Sequence, residues 1–301
     1  MNDIAVSPLM AWLLANPLLG PFAEFGFMRD ALLGCVALSL SAAPVGVFLM
    51  LRRMSLTGDA MAHAILPGAA VGYLVSGLSL TAMTVGGIAA GLLVAVGSGL
   101  VARHTVLRED SSLAAFYLLS LASGVLIVSV KGNSVDLLHV LFGTVLALDN
   151  DALLLLGGIT TVTLLGLRTL YRPLVIESLD PDFLRGMSVW SALAHHGFLV
   201  LVVLNLVAGF HALGTLLAVG LMVLPAAAAR LWVTRILPLM GLSVVLALAA
   251  SVAGLLISFH ADWPTSPVIV LCLGVVYALS MLAAPDGLWR HSRPGHSHLR
   301  A

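Results

Sequence analysis

The chain has 301 residues, 60% of them hydrophobic and only 9% charged, and its 14 basic and 14 acidic residues balance to zero. A water-soluble chain carries roughly 25% charged residues, so this composition excludes a protein that covers itself with a water-facing surface. The single lysine, Lys131, leaves no basic tract for nucleic acid. Mean hydropathy is +1.09, and the apolar residues run continuously rather than alternating. That pattern predicts an all-α, polytopic helical membrane protein and not a membrane β-barrel.

Taken in order, residues 1–29 read as an extracytoplasmic or interfacial segment. Residues 4–19 are apolar but interrupted by Pro8 and Pro17, and Asn2 and Asp3 stand where a signal peptide has basic residues. A transmembrane domain follows over residues 30–284. Its apolar runs, each about 20 residues or longer, predict about nine helices, within a range of eight to ten. The expected spans are 30–51, 58–77, 81–103, 112–131, 152–170, 189–208, 212–232, 236–258 and 266–284. The sixth and seventh are divided by a turn expected near Ala208-Gly209-Phe210-His211. Residues 132–150 form a semi-apolar connection, re-entrant or a short helix. Cys35 and Cys272 lie inside apolar runs, where a disulfide framework is not indicated and small buried hydrophobes are the simpler account.

The arginines orient the bundle. Loops 52–57, 104–111, 171–188 and 233–235 and the tail 285–301, together with Arg103, Arg168 and Arg230 at the adjoining span ends, carry twelve of the fourteen basic residues, and only Arg29 and Lys131 lie on the other side. By the positive-inside rule the N-terminus is outside and the C-terminus in the cytoplasm. Within loop 171–188, Asp180, Pro181, Asp182, Phe183, Leu184, Arg185 and Gly186 supply an N-cap acid, a proline at the first helical position and a closing glycine. They predict a short amphipathic helix off the membrane, either docking a partner groove through Phe183 and Leu184 or simply connecting two spans.

The stretch Arg52-Arg53-Met54-Ser55-Leu56-Thr57-Gly58-Asp59-Ala60-Met61-Ala62-His63-Ala64-Ile65-Leu66-Pro67-Gly68 places an acid and a histidine four residues apart. On a helix they share one face, a turn apart, and an imidazole and a carboxylate so placed suit one divalent cation. An ionised acid inside a span costs about 2.5–3.5 kcal/mol on insertion scales and asks for a reason. Asp59 sits near the start of its span, so capping the helix is an equal explanation for it alone. His63, a turn deeper, has no capping role. His195 and His196 read as snorkelling polar residues at the cytoplasmic end of their span. His211 and His260 face the outer side. His291, His296 and His298 make a histidine-containing tail, metal-buffering or merely solvated. No phosphate-binding loop and no His-Glu-x-x-His motif is present, so neither ATP hydrolysis by that route nor an intramembrane zinc protease is expected.

These segments resemble the membrane permeases of bacterial metal-ion ABC importers, the zinc/manganese/iron class. Residues 52–68 are similar to the family's arginine, Gly-Asp-Ala, Ser-His and Leu-Pro-Gly pattern, with Ala62 in place of a frequent serine. Residues 180–186 resemble its cytoplasmic coupling segment, and residues 214–230 its small-residue span with a Pro-Ala-Ala run. Ser266-Pro267 stands where the family usually has serine followed by glycine. The resemblance covers residues 22–284. It implies a non-enzymatic permease of the bacterial inner membrane that imports zinc or manganese, or iron, by ATP-driven alternating access, with no permanently bound cofactor. It also implies a second permease copy, a cytoplasmic ATP-binding subunit engaged through residues 180–186, and an extracytoplasmic metal-binding protein. Asp59 and His63 match the residues lining the ion path in such permeases. A gradient-driven cation carrier using Asp59 is the alternative.

Overall fold

The computed structural model describes residues 20–77, 79–106, 109–130, 148–179 and 190–285, and every element among them is an α-helix. A one-turn helix α1 (Gly20–Glu24) precedes nine long ones: α2 (Gly26–Leu51), α3 (Ser55–Ser76), α4 (Leu80–His104), α5 (Glu109–Val130), α6 (Asn150–Leu179), α7 (Trp190–Leu213), α8 (Thr215–Arg230), α9 (Ile236–Ala261) and α10 (Thr265–Ala283). Each long helix overlaps one of the nine expected spans. All of them but α3 and α8 are long and apolar enough to cross a bilayer by themselves. Residues 1–19, most of the 132–150 connection, residues 180–186 and the tail histidines lie outside the described residues.

Two boundaries differ from expectation. Residues 171–179, expected as loop, continue α6 for more than two turns beyond its span. Pro173 is tolerated within that helix, Leu174 is fully buried, and the Ser178 hydroxyl donates to the Leu174 carbonyl (2.7 Å). The turn expected at 208–211 lies instead at the single residue Gly214, whose φ of +89° only glycine adopts at no cost. Gly209 stays helical because α8 crosses there, where a Cβ would lie 2.5 Å from that of Ala218.

The bundle has two parts. Helices α3, α4 and α5 pack on one another, α2, α6, α8, α9 and α10 form the larger group, and α7 touches members of both. α2 and α7 are the most enclosed. α4, α5, α6, α9 and α10 turn large apolar side chains outward, such as Leu93, Leu119, Leu154, Val245 and Leu271. That is how a chain solvated by hydrocarbon is finished, since lipid is as apolar as leucine. Small residues allow the closest crossings. A Cβ on Gly46 would sit 1.6 Å from the Met222 carbonyl oxygen, and one on Gly68 2.0 Å from that of Gly86.

Polar groups inside the bundle are tied across helices. Thr160 Oγ1 donates to Ala37 O (3.0 Å), and Asn205 Nδ2 donates to Thr163 Oγ1 (2.8 Å). Where α10 begins beside the end of α7, buried Ser266 Oγ donates to Leu213 O (2.9 Å). Pro267 falls in the first turn of α10, where its missing N–H leaves no ladder bond unmade. The Ser-Pro departure is therefore accommodated locally.

Candidate functional site

The site is built on the elbow between α2 and α3. α2 ends in a paired closure: Met54 N–H donates to Leu49 O (2.8 Å) and Arg53 N–H to Met50 O (3.0 Å). This is the Schellman arrangement, with Arg53 at the left-handed position (φ +59°) usually given to glycine. Leu49 and Met54 are both buried beneath it. The chain leaves the elbow directly into α3, whose N-cap is Met54 and makes no side-chain cap bond. Asp59 therefore lies in the second turn, about 6 Å along the axis at 1.5 Å per residue, and does not cap the helix. The capping explanation of that acid is set aside by where α3 starts.

His63 Nε2 lies 3.8 Å from Asp59 Oδ1, the i, i+4 pair expected. Their side chains are 35% and 64% exposed in the single chain. Leu56, Leu66 and Ala70 continue the same stripe along α3, while Met61, Ala62, Ile65 and Ala69 on the opposite side are buried. An acid and a histidine thus stand on an open face of a membrane helix. Among the described residues no group of three or more His, Cys, Asp or Glu side chains gathers here or elsewhere. One chain supplies two donors, an incomplete coordination sphere.

The Leu66-Pro67-Gly68 motif loosens α3 next to the pair. Pro67 has no N–H to give to the carbonyl of His63, one turn back. The following carbonyl, Ala64 O, accepts from Ser120 Oγ of α5 (3.0 Å). A neighbouring helix thus bonds the backbone directly beside the carbonyl that the proline leaves without a ladder donor. Gly68 lets α4 close on the same turn, and Gly124 of α5 packs against Pro67, where a Cβ would come within 2.7 Å of the ring.

A second polar cluster lies beneath the elbow. Arg52 Nη2 donates to Glu177 Oε2 (2.6 Å), and His195 Nδ1 lies 3.5 Å from Glu177 Oε1. The guanidinium carbon stands 4.6 Å from the centroid of Phe198. Side-chain exposure is only 5% for Arg52, 13% for Glu177 and 11% for His195. From the sequence, Arg52 counts toward the charge bias, Glu177 falls inside loop 171–188 and His195 reads as snorkelling. His195 is instead buried, its ring 5.4 Å from that of His196. No signal in a single sequence joins residues 125 positions apart.

In the last turns of α7 and α9, His211 and His260 each turn Nδ1 to a carbonyl four residues back, Val207 O (2.9 Å) and Leu256 O (2.8 Å). A carbonyl only accepts, so Nδ1 is the donor in each contact. Among the described residues neither belongs to a group of three or more candidate ligands, and the structure does not bring them to the Asp59–His63 pair.

The profile of the ABC 3 transport family matches residues 24–284. A manganese import system permease protein, ScaB of Streptococcus parasanguinis, is 33% identical over 262 residues, covering 87% of this chain and 92% of that protein. A probable iron transport system membrane protein of Haemophilus influenzae is 26% identical, covering 90% and 96%. Among solved structures, PsaBC from Streptococcus pneumoniae in complex with Fab is similar with a TM-score of 0.78 and 30% identity, covering 89% of this chain and 96% of that one.

Proposed function

The chain belongs to the ABC 3 transport family, and on that premise we propose that it carries manganese inward past Asp59 and His63 at the two-fold axis of a permease dimer. It is a multi-pass membrane permease of the metal-ion ABC importer type. The observation that carries the site is the open face of α3, where an acid and a histidine sit side by side with no third ligand among the described residues. Hydrocarbon cannot cover such a face without a cost of about 2.5–3.5 kcal/mol for the acid alone. A second copy can. Two Asp and two His make a mixed nitrogen and oxygen set suited to Mn²⁺ or Zn²⁺. Manganese is favoured because ScaB bears that name at 33% identity, while the iron-named relative is more distant.

Bound weakly and handed on, the ion needs no closed cage. Pro67 leaves α3 without one ladder bond at His63, which lets the ligand-bearing turn shift relative to the rest of the helix. Energy comes from a separate ATP-binding subunit engaging residues 180–186, and an extracytoplasmic binding protein presents the ion at the outer face. The N-terminus is outside and the C-terminus cytoplasmic, the orientation that puts twelve of fourteen basic residues inside.

The test is ATP-dependent Mn²⁺ uptake by the permease reconstituted with its ATP-binding subunit. His63→Ala abolishes uptake and leaves dimer assembly and ATP-subunit binding intact. Normal uptake by that variant would overturn the site.

A further inference from the structure

Glu177 lies in the last turn of α6, and His195 in the second turn of α7, on either side of the connection between those helices. One carboxylate meets both Arg52 (2.6 Å, through Oε2) and His195 (3.5 Å, through Oε1). The cytoplasmic ends of α6 and α7 are thereby clasped to each other and to the end of α2. Aromatic contacts run through the same place: Phe48 of α2 stands edge-on to Tyr171 of α6 (6.2 Å) and to Phe198 of α7 (6.3 Å). Arg52 lies over Phe198 as well as on the carboxylate, a double grip that suits a planar guanidinium and not an ammonium.

A buried ion pair is a poor way to gain stability, since apolar packing of equal volume commonly does as well or better. What the pair provides is a directed connection. Arg52 is the last residue before the left-handed Arg53, and the two hydrogen bonds that close α2 make the elbow stiff. α3 begins three residues after Arg52, and Asp59 follows one turn later. A displacement of Glu177 therefore reaches the ion pair through one side-chain contact and one short, hydrogen-bonded turn.

We propose that Glu177 is a positioning residue, a clasp that transmits movement of the cytoplasmic ends of α6 and α7 to the elbow bearing the Asp59–His63 pair. The inference rests on the function proposed above, with residues 180–186 receiving the ATP-binding subunit. When that subunit moves the inner ends of α6 and α7, the clasp turns the start of α3 and opens or closes the ion's exit. Without it, ATP is hydrolysed but the work is not delivered to the ion.

The experiment uses the complete permease with its ATP-binding subunit in liposomes, measuring ATP hydrolysis and Mn²⁺ uptake in the same vesicles. Glu177→Gln, which keeps shape and removes the charge, is expected to hydrolyse ATP at a near wild-type rate while metal carried per ATP falls about fivefold, the size of effect for a broken coupling contact. Glu177→Asp restores part of that ratio. Arg52→Lys keeps the charge but loses the planar guanidinium and its ring contact, and lowers the ratio in the same way, so the inference does not hang on one variant folding. An unchanged ratio in Glu177→Gln and Arg52→Lys, or uptake and hydrolysis falling in proportion with a lower melting temperature, would overturn the clasp. Wild-type vesicles with no ATP-dependent uptake would instead overturn the functional proposal on which it stands.

Discussion

At the scale of single residues, the two glycines nearest the elbow differ in what they do. Gly46 of α2 faces the backbone of α8, where a Cβ would fall 1.6 Å from Met222 O, inside the oxygen itself. A carbonyl held in a helix ladder cannot step aside as a side-chain tip can, so α2 and α8 would have to separate. Gly46→Ala is expected to cost about 1–3 kcal/mol or more as overpacking, visible as a lower melting temperature in detergent. Gly58 belongs to the Gly-Asp-Ala motif, but a Cβ there would meet Met222 Sδ at 3.7 Å, Leu49 Cδ1 at 3.8 Å and Val223 Cγ2 at 3.9 Å, all ordinary contacts. Gly58→Ala should leave the melting temperature unchanged or raise it, because alanine is about 1 kcal/mol the better helix former. A Gly58→Ala protein that melts well below wild type would show that α3 packs more tightly than these distances allow.

At the scale of elements, α3 is the helix whose backbone is arranged rather than merely formed. Pro67 removes the hydrogen bond to His63 O, and Ser120 of α5 satisfies the next carbonyl, Ala64 O, at 3.0 Å. Ser120→Ala removes that bond between α5 and α3 and should destabilise by about 0.6–2 kcal/mol, the range for polar contacts between membrane helices. Adding Pro67→Ala restores the ladder bond to His63 O and straightens α3, which offsets part of that loss. The double variant should therefore melt higher than Ser120→Ala while transporting less than wild type, measured by denaturation in detergent and uptake in vesicles. The elements themselves were largely legible, because a run of about 20 apolar residues has few uses other than a span. The overrun of α6 was not. Arg172, Pro173 and Glu177 have the composition of a loop, and only the pairing of Glu177 with Arg52 explains why that carboxylate is carried on a helix into a buried place. The break at Gly214 rather than Gly209 was hidden for a related reason. Both are glycines in an apolar run, and which one turns depends on which one a neighbouring helix leans against.

At the scale of the whole molecule, the Asp59–His63 pair was legible from its spacing, but its meaning depends on a surface that one chain leaves open. Leu56, on the same stripe, is 83% exposed. In an isologous dimer a residue close to the axis meets its own counterpart, so Leu56→Cys gives a direct test of where the axis runs. In a protein with Cys35 and Cys272 replaced by alanine, Leu56→Cys should form a disulfide between two copies under mild oxidation. That bond requires Cα atoms within about 7 Å. Val125 of α5 is comparably apolar and exposed but belongs to a different helix of the bundle, so Val125→Cys should remain monomeric on the same gel. Mn²⁺ bound at the axis should saturate at one ion per two chains and protect the 56 position from a thiol reagent, and His63→Ala should remove both effects. Equal crosslinking at the two positions, or one tightly held ion per chain, would mean that some other surface covers the acid and the histidine. The open face of α3 would then have to be explained by a partner other than a second copy.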